Sequence, residues 1–114
     1  MQKILVIDDN ELMREIVGEC VQSVFQGPVL LAGSGPEGMT KLMQETFSIV
    51  VCDFDMPEKN GLDVLRFVRE KSLPVKFILF TGRESLSEFY IEDDVHIVLN
   101  KDFQRLINCL VTLA

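Results

Sequence analysis

Five short apolar runs recur along the chain, and between them apolar residues return at helical spacing. The runs are 3–7, 28–32, 48–52, 75–80 and 95–99, mostly Val, Ile, Leu and Phe with few polar interruptions. A strand with one wet face alternates apolar and polar residues, whereas a strand covered on both faces need not. The pattern therefore predicts strands of a parallel sheet buried on both sides. The clearest intervening helix carries Leu12, Met13, Ile16, Val17, Cys20, Val21, Val24 and Phe25, with charged residues between them. A second opens at Ser34-Gly35-Pro36-Glu37, a capping-box spacing with proline in the first turn. A third is predicted over about 61–71, burying Leu62, Leu65 and Val68. The fourth interval supports only a short, weak helix at about 84–91. A fifth begins after Asp102, a candidate N-cap, and carries Phe103, Leu106, Ile107, Leu110 and Val111.

Strand and helix thus alternate five times. Right-handed crossovers place such helices on both faces of the sheet, so the predicted fold class is α/β, a (βα)5 doubly wound five-stranded parallel sheet. No linker, repeat or low-complexity segment interrupts it. The 114 residues are expected to form one domain, 1–114, with no output domain. Ligands of open sheets of this kind bind outside the carboxyl ends of the strands, and there the runs give way to polar residues. The first run ends in Asp8-Asp9. The third ends in Asp53, succeeded by Phe54-Asp55-Met56-Pro57, with Gly61 beyond. The fourth ends in Thr81-Gly82, and Lys101 lies just past the fifth. Three acids, a hydroxyl and an ammonium are expected to converge on one small crevice.

Taken singly, these features are unremarkable. Asp8-Asp9-Asn10 before a helix reads as a cap, Asp55-Met56-Pro57 as a turn, and a lone lysine as a solvated surface residue. Their joint arrival at one sheet edge is what calls for chemistry. Crowded carboxylates raise one another's pKa values unless a cation intervenes. Magnesium, which takes hard oxygen ligands and keeps several waters, fits that need. Asp9 and Asp53 are the candidate direct ligands, with Asp8 acting through water. A carboxylate held there can serve as a nucleophile toward phosphorus. Thr81, Gly82 and Lys101 would then bind the phosphoryl oxygens.

Composition narrows the partners. The chain has 11 basic and 18 acidic residues, a net charge of −7, which argues against nucleic acid or an anionic membrane as a direct partner. No apolar run approaches the roughly 18–20 residues of a membrane span. No signal peptide is evident at Met1-Gln2-Lys3, and Cys20, Cys52 and Cys109 read as reduced core residues of a cytoplasmic protein.

Asp8-Asp9, Asp53-Phe54-Asp55-Met56-Pro57, Gly61, Thr81-Gly82 and Lys101, in this order, resemble the receiver domains of two-component response regulators over the whole chain. The resemblance implies a flavodoxin-like sheet of strand order 2-1-3-4-5. It implies that Asp53 is the phosphoacceptor and that Asp8 and Asp9 position Mg2+, with the backbone carbonyl of Asp55 as a further ligand. Thr81 and Lys101 would contact the phosphoryl group. It also implies a phosphohistidine donor on a sensor histidine kinase or histidine phosphotransfer protein, and a protein target downstream. The readout face would be the fourth helix, fifth strand and fifth helix, on a monomer or a phosphorylation-dependent homodimer.

The chain departs from that pattern at four places. Val98 stands where many receivers carry an aromatic that swings inward; Phe89 and Tyr90 are the aromatics nearby. Asp102 stands where a proline usually comes after the lysine, so the bond before it is expected to be trans, since a cis non-proline bond costs roughly 2.5–4 kcal/mol. Asp55 would repel a phosphoryl group on Asp53 unless paired, and Arg83 is its candidate partner. The span from Thr81 to Lys101 is tight, so the fourth helix is expected to be short or partly irregular. His96 lies within a strand pattern and is expected to be structural or at an edge. Three other classes fit less well. A haloacid-dehalogenase-like phosphohydrolase shares Asp53-Phe54-Asp55 but in a different motif order. A receiver-like interaction module would not use phosphate. A flavin-binding domain would need a phosphate-cradling loop where Asp8-Asp9 stands.

Overall fold

A computed structural model describes residues 2–114. Its elements run β1 (Ile4–Ile7), α1 (Glu11–Val24), β2 (Val29–Ala32), α2 (Gly35–Gln44), β3 (Ile49–Asp53), α3 (Gly61–Glu70), β4 (Lys76–Phe80), β5 (His96–Val98) and α4 (Phe103–Leu113). The five strands form one parallel sheet in the order β2-β1-β3-β4-β5. The expected doubly wound α/β sheet is therefore present, with four helices rather than five among the described residues.

Strand parity explains the two layers. Ile4 and Val6 point to one face with Ile49, Val51, Ile78, Phe80 and Val98, where Val17 and Val21 of α1 and Leu106 and Leu110 of α4 cover them. Leu5 and Ile7 point to the other with Val50, Cys52, Phe77 and Leu79, covered by Leu42 of α2 and Leu62, Leu65 and Val68 of α3. Alternation by one residue carries the chain from one core to the other, so β1, Ile49–Cys52 of β3 and Phe77–Phe80 of β4 are apolar because both faces are roofed. The outer strands are less enclosed than their composition predicted. Leu31 of β2 and Ile97 of β5 are exposed, and His96 sits on the edge strand β5.

Three of the helix starts are fixed by side-chain caps that fall where the strands end. Asn10 Oδ1 accepts the Met13 N–H (2.9 Å), so Asn10, not either preceding aspartate, caps α1. Ser34 Oγ caps α2 by accepting from Glu37 N (3.1 Å), and Glu37 Oε1 reaches back to Gly33 N rather than to Ser34. Asp102 caps α4 as expected, accepting from Arg105 N at 3.1 Å. A reciprocal pair at α3, Asn60 with Asp63, gives a full capping box that the apolar pattern had not revealed.

The predicted helix over 84–91 does not form. The segment 82–95 is instead a connector of turns that covers the β4–β5 side of the sheet with buried Leu86 and Val95. Ser85 and Ser87 hydroxyls bond each other at 2.9 Å and the Ser87 N–H bonds Ser85 Oγ at 3.0 Å. Such side-chain bonds compete with helical ones. Backbone bonds of three-residue span, Phe89 N to Leu86 O and Val95 N to Glu92 O, close separate turns instead.

Candidate phosphoacceptor site

The carboxyl ends of β1, β3, β4 and β5 bring the candidate residues to one rim. Asp53 is the last residue of β3, paired with Phe80 in register, so Thr81 comes directly alongside. Gly61 secures the other flank. Its N–H donates to Phe54 O at 2.8 Å, and a Cβ there would stand 2.7 Å from Asp53 O and 2.9 Å from Phe54 Cα. Only glycine lets α3 start this close to the strand end.

Lys101 arrives by a backbone hook. Asn100 (φ 59°) and Lys101 (φ 48°) are both left-handed, Lys101 N donates to Thr81 O at 2.7 Å, and Asn100 N donates to Arg83 O at 2.9 Å. The bond to Asp102 is trans, as expected. The hook turns the Lys101 side chain across the Phe80 ring, Nζ 4.7 Å from its centroid, and leaves Nζ 3.4 Å from both Asp8 Oδ2 and Asp53 Oδ1. Asp8 is 3% exposed and is held at both ends: Oδ1 accepts the Asn10 N–H, and its carbonyl accepts from Arg14 Nη1 at 2.9 Å. Arg14 was not singled out from sequence; its position in the second turn of α1 faces back to the β1 end.

One ammonium at 3.4 Å does not neutralise the acids around it. Burial raises the Asp53 carboxyl to about 6; Lys101 opposes the rise, while Asp8 and Asp9 add to it. Asp8, Asp9 and Asp53 each offer a carboxylate oxygen, and these oxygens lie within 4.8 Å of one another. An all-oxygen donor set with surplus negative charge suits a hard divalent cation of the magnesium type. Thr81 is fully buried, its Oγ1 accepting the Arg83 N–H at 3.1 Å. Gly82 leaves open space, since a Cβ there would come no nearer than 3.5 Å to Lys101 Cγ.

Asp55 and Arg83 form the predicted pair. Arg83 Nε and Nη2 both reach the Asp55 carboxylate, the shortest contact 2.8 Å, and Nη1 reaches Glu88 at 3.2 Å. The hydrogen bonds from Arg83 hold the Asp55 carboxyl below the usual carboxylate range. Val98 is buried, and the two nearby aromatics divide: Tyr90 is 87% exposed, whereas Phe89 packs on Phe54 with ring centroids 5.0 Å apart. Cys52 is fully buried beside Asp53, and burial pushes its thiol well up; Cys20 and Cys109 are free but only partly buried, outside the core proper.

The family model for the response regulator receiver domain matches residues 4–108, a span that contains every residue of this rim. Among curated proteins, the chain is 34% identical over 85 residues to chemotaxis protein CheY1 of Helicobacter pylori, covering 70% of this chain and 68% of that one. It is also 34% identical over 83 residues to a protein-glutamate methylesterase/protein-glutamine glutaminase of Syntrophomonas wolfei, covering 71% of this chain but only 23% of that longer protein. Among solved structures, response regulator TrrA of Thermotoga maritima, determined in complex with Mg2+-BeF, superposes with a TM-score of 0.87 at 27% identity over all of both chains. No described helix is long and apolar enough to cross a membrane. With the sheet order, the rim and the sequence match agreeing from β1 to α4, the chain belongs to the response regulator receiver domain family of two-component systems.

Proposed function

We propose that Asp53 accepts a phosphoryl group from a phosphohistidine, making this chain a phosphorylation-dependent switch that acts by binding other proteins. The observation that carries the reading is a half-buried carboxylate at the end of a central strand, raised to about 6, facing one lysine and two further acids. An Asp53 oxygen attacks phosphorus, the P–N bond breaks, and the donor imidazole leaves. Asp8 and Asp9, the Asp53 carboxylate and the Asp55 carbonyl would hold Mg2+, which when bound supplies positive charge for the phosphoryl oxygens. Lys101 offsets charge on the same oxygens, released from its long contacts to Asp8 and Asp53. The buried Thr81 hydroxyl donates to one oxygen while continuing to accept the Arg83 N–H. Gly82 gives that oxygen clearance.

The donor class is a sensor histidine kinase or histidine phosphotransfer protein, and the target is a further protein. Phosphorylation shifts a pre-existing balance of conformations, read on the face of β5, α4 and the connector, in a monomer or a phosphorylation-dependent homodimer. The test is incubation with acetyl phosphate and Mg2+, then intact mass spectrometry. One phosphoryl increment is expected, absent in Asp53→Asn and without metal. If Mg2+ binds yet neither a phosphoryl increment nor bound beryllofluoride is found, the chain is an interaction module that does not use phosphate.

A further inference from the structure

Arg83 touches more of the rim than any single role requires. Its guanidinium grips Asp55 through Nε and Nη2 and Glu88 through Nη1, and lies over the Phe54 ring (5.0 Å) and the Phe89 ring (5.7 Å). Its own backbone N–H is on Thr81 Oγ1, and its carbonyl holds Asn100, next to Lys101. One residue thus joins the loop after Asp53, the buried hydroxyl, the lysine hook and the connector 82–95. That connector has no helix of its own. Besides buried Leu86 and Val95, and Phe89 and Ile91 packed against the core, it is tied to the body by this arginine and by Arg69, which reaches Glu92 (2.9 Å) and Asp94 (2.8 Å). Between the connector and α3 lies a groove of about 470 Å3 lined by Leu62, Leu65, Phe89 and Tyr90 among others, so the connector has space to move into.

All three guanidinium nitrogens are already engaged by carboxylates. A new anion beside Asp53 competes with Asp55 and Glu88 for that one cation, and the same anion repels Asp55. We infer that Arg83 is a positioning residue whose grip on Asp55 holds the connector 82–95 closed, and that a phosphoryl group on Asp53 loosens it. The inference rests on Asp53 being the phosphoacceptor. It gives this chain a route from site to surface through Arg83 and Phe89, where Val98 offers no aromatic to move.

The test is amide hydrogen exchange over 84–94 in metal-free protein, with Mg2+, and with Mg2+ and beryllofluoride, for the native sequence, Arg83→Gln, Arg83→Lys and Asp55→Asn. Beryllofluoride is expected to speed exchange of the native connector about tenfold, the scale of one bidentate pair plus its ring contacts. Arg83→Gln and Asp55→Asn should exchange fast from the start and respond little; Arg83→Lys, a point charge without the fork, should fall between. Unfolding midpoints separate local release from global instability. Bound fluoride seen by 19F NMR with unchanged connector exchange, or a full beryllofluoride response retained in Arg83→Gln, would overturn the inference while leaving the phosphoacceptor reading intact. Absence of any bound-fluoride signal, together with no phosphoryl increment from acetyl phosphate, would overturn both.

Discussion

Replacing Asp53 by asparagine should stabilise the metal-free protein at neutral pH. The amide has the shape of the neutral acid and keeps an acceptor for Lys101, but carries no charge into the crowd of Asp8 and Asp9. The native carboxyl titrates at about 6, against an ordinary value of 3.8. Because the folded-state pKa is raised, the folded chain binds the proton more tightly. The resulting stability is fully present below about pH 4 and is lost as pH rises through about 6. The gap of some two pH units corresponds to about 3 kcal/mol, or about 10 °C in midpoint for a domain of this size. The assay is thermal unfolding of both proteins from pH 3.5 to 8 in chelator, read as a difference so that other titrating groups cancel. The midpoints should coincide near pH 3.5 and diverge in favour of Asp53→Asn until about pH 7. Adding Mg2+ should narrow or reverse the gap, since ligand at a hundred times its Kd stabilises the native protein by about 2.7 kcal/mol. A pH-independent difference, or an Asn variant less stable at pH 7 in chelator, would refute the charge-crowding account of this site.

Other perturbations separate packing from chemistry. Gly61→Ala forces a Cβ to 2.7 Å from Asp53 O and should cost on the order of 2 kcal/mol in denaturant unfolding, whereas Gly82→Ala should leave the midpoint nearly unchanged. Asp102→Ala removes the cap of α4 and should lower stability by about 1 kcal/mol, read from the same unfolding curves. In native protein, alkylation and mass spectrometry should show Cys20 and Cys109 modified well before Cys52, whose thiol is buried and raised; equal rates would mean the β3 end opens readily.

The central strands were legible because burial on both faces leaves no room for polar residues, and Ile4–Ile7 shows it without exception. The rim was legible because chemistry-bearing residues stand just past the apolar runs, at the ends where such sheets bind ligands. The Arg83–Asp55 pair came from the same logic, as Asp55 needed a cation within reach. The weak 84–91 helix failed for reasons that composition contains only partly. Leu86 and Phe89 sit at helical spacing, but serines at 85 and 87 offer local hydrogen bonds, and Phe89, Tyr90 and Ile91 are indifferent helix formers. A segment this short cannot recover the nucleation penalty by itself. Arg14 was invisible because its role lies in meeting the Asp8 carbonyl, a backbone group that no side-chain motif announces.

The lysine hook carries a consequence for how the molecule is made. Lys101 and Asp8 meet across 93 residues of chain, so the acids of β1 and β3 emerge from synthesis well before the cation that offsets them. Synthesis proceeds from the N-terminus, and pairings between distant strands form slowly. A nascent chain ending short of Asn100 therefore presents a cluster of uncompensated carboxylates at its growing edge. The left-handed pair Asn100-Lys101, closing onto Thr81, brings that cation to the acids only once the last strand has been made.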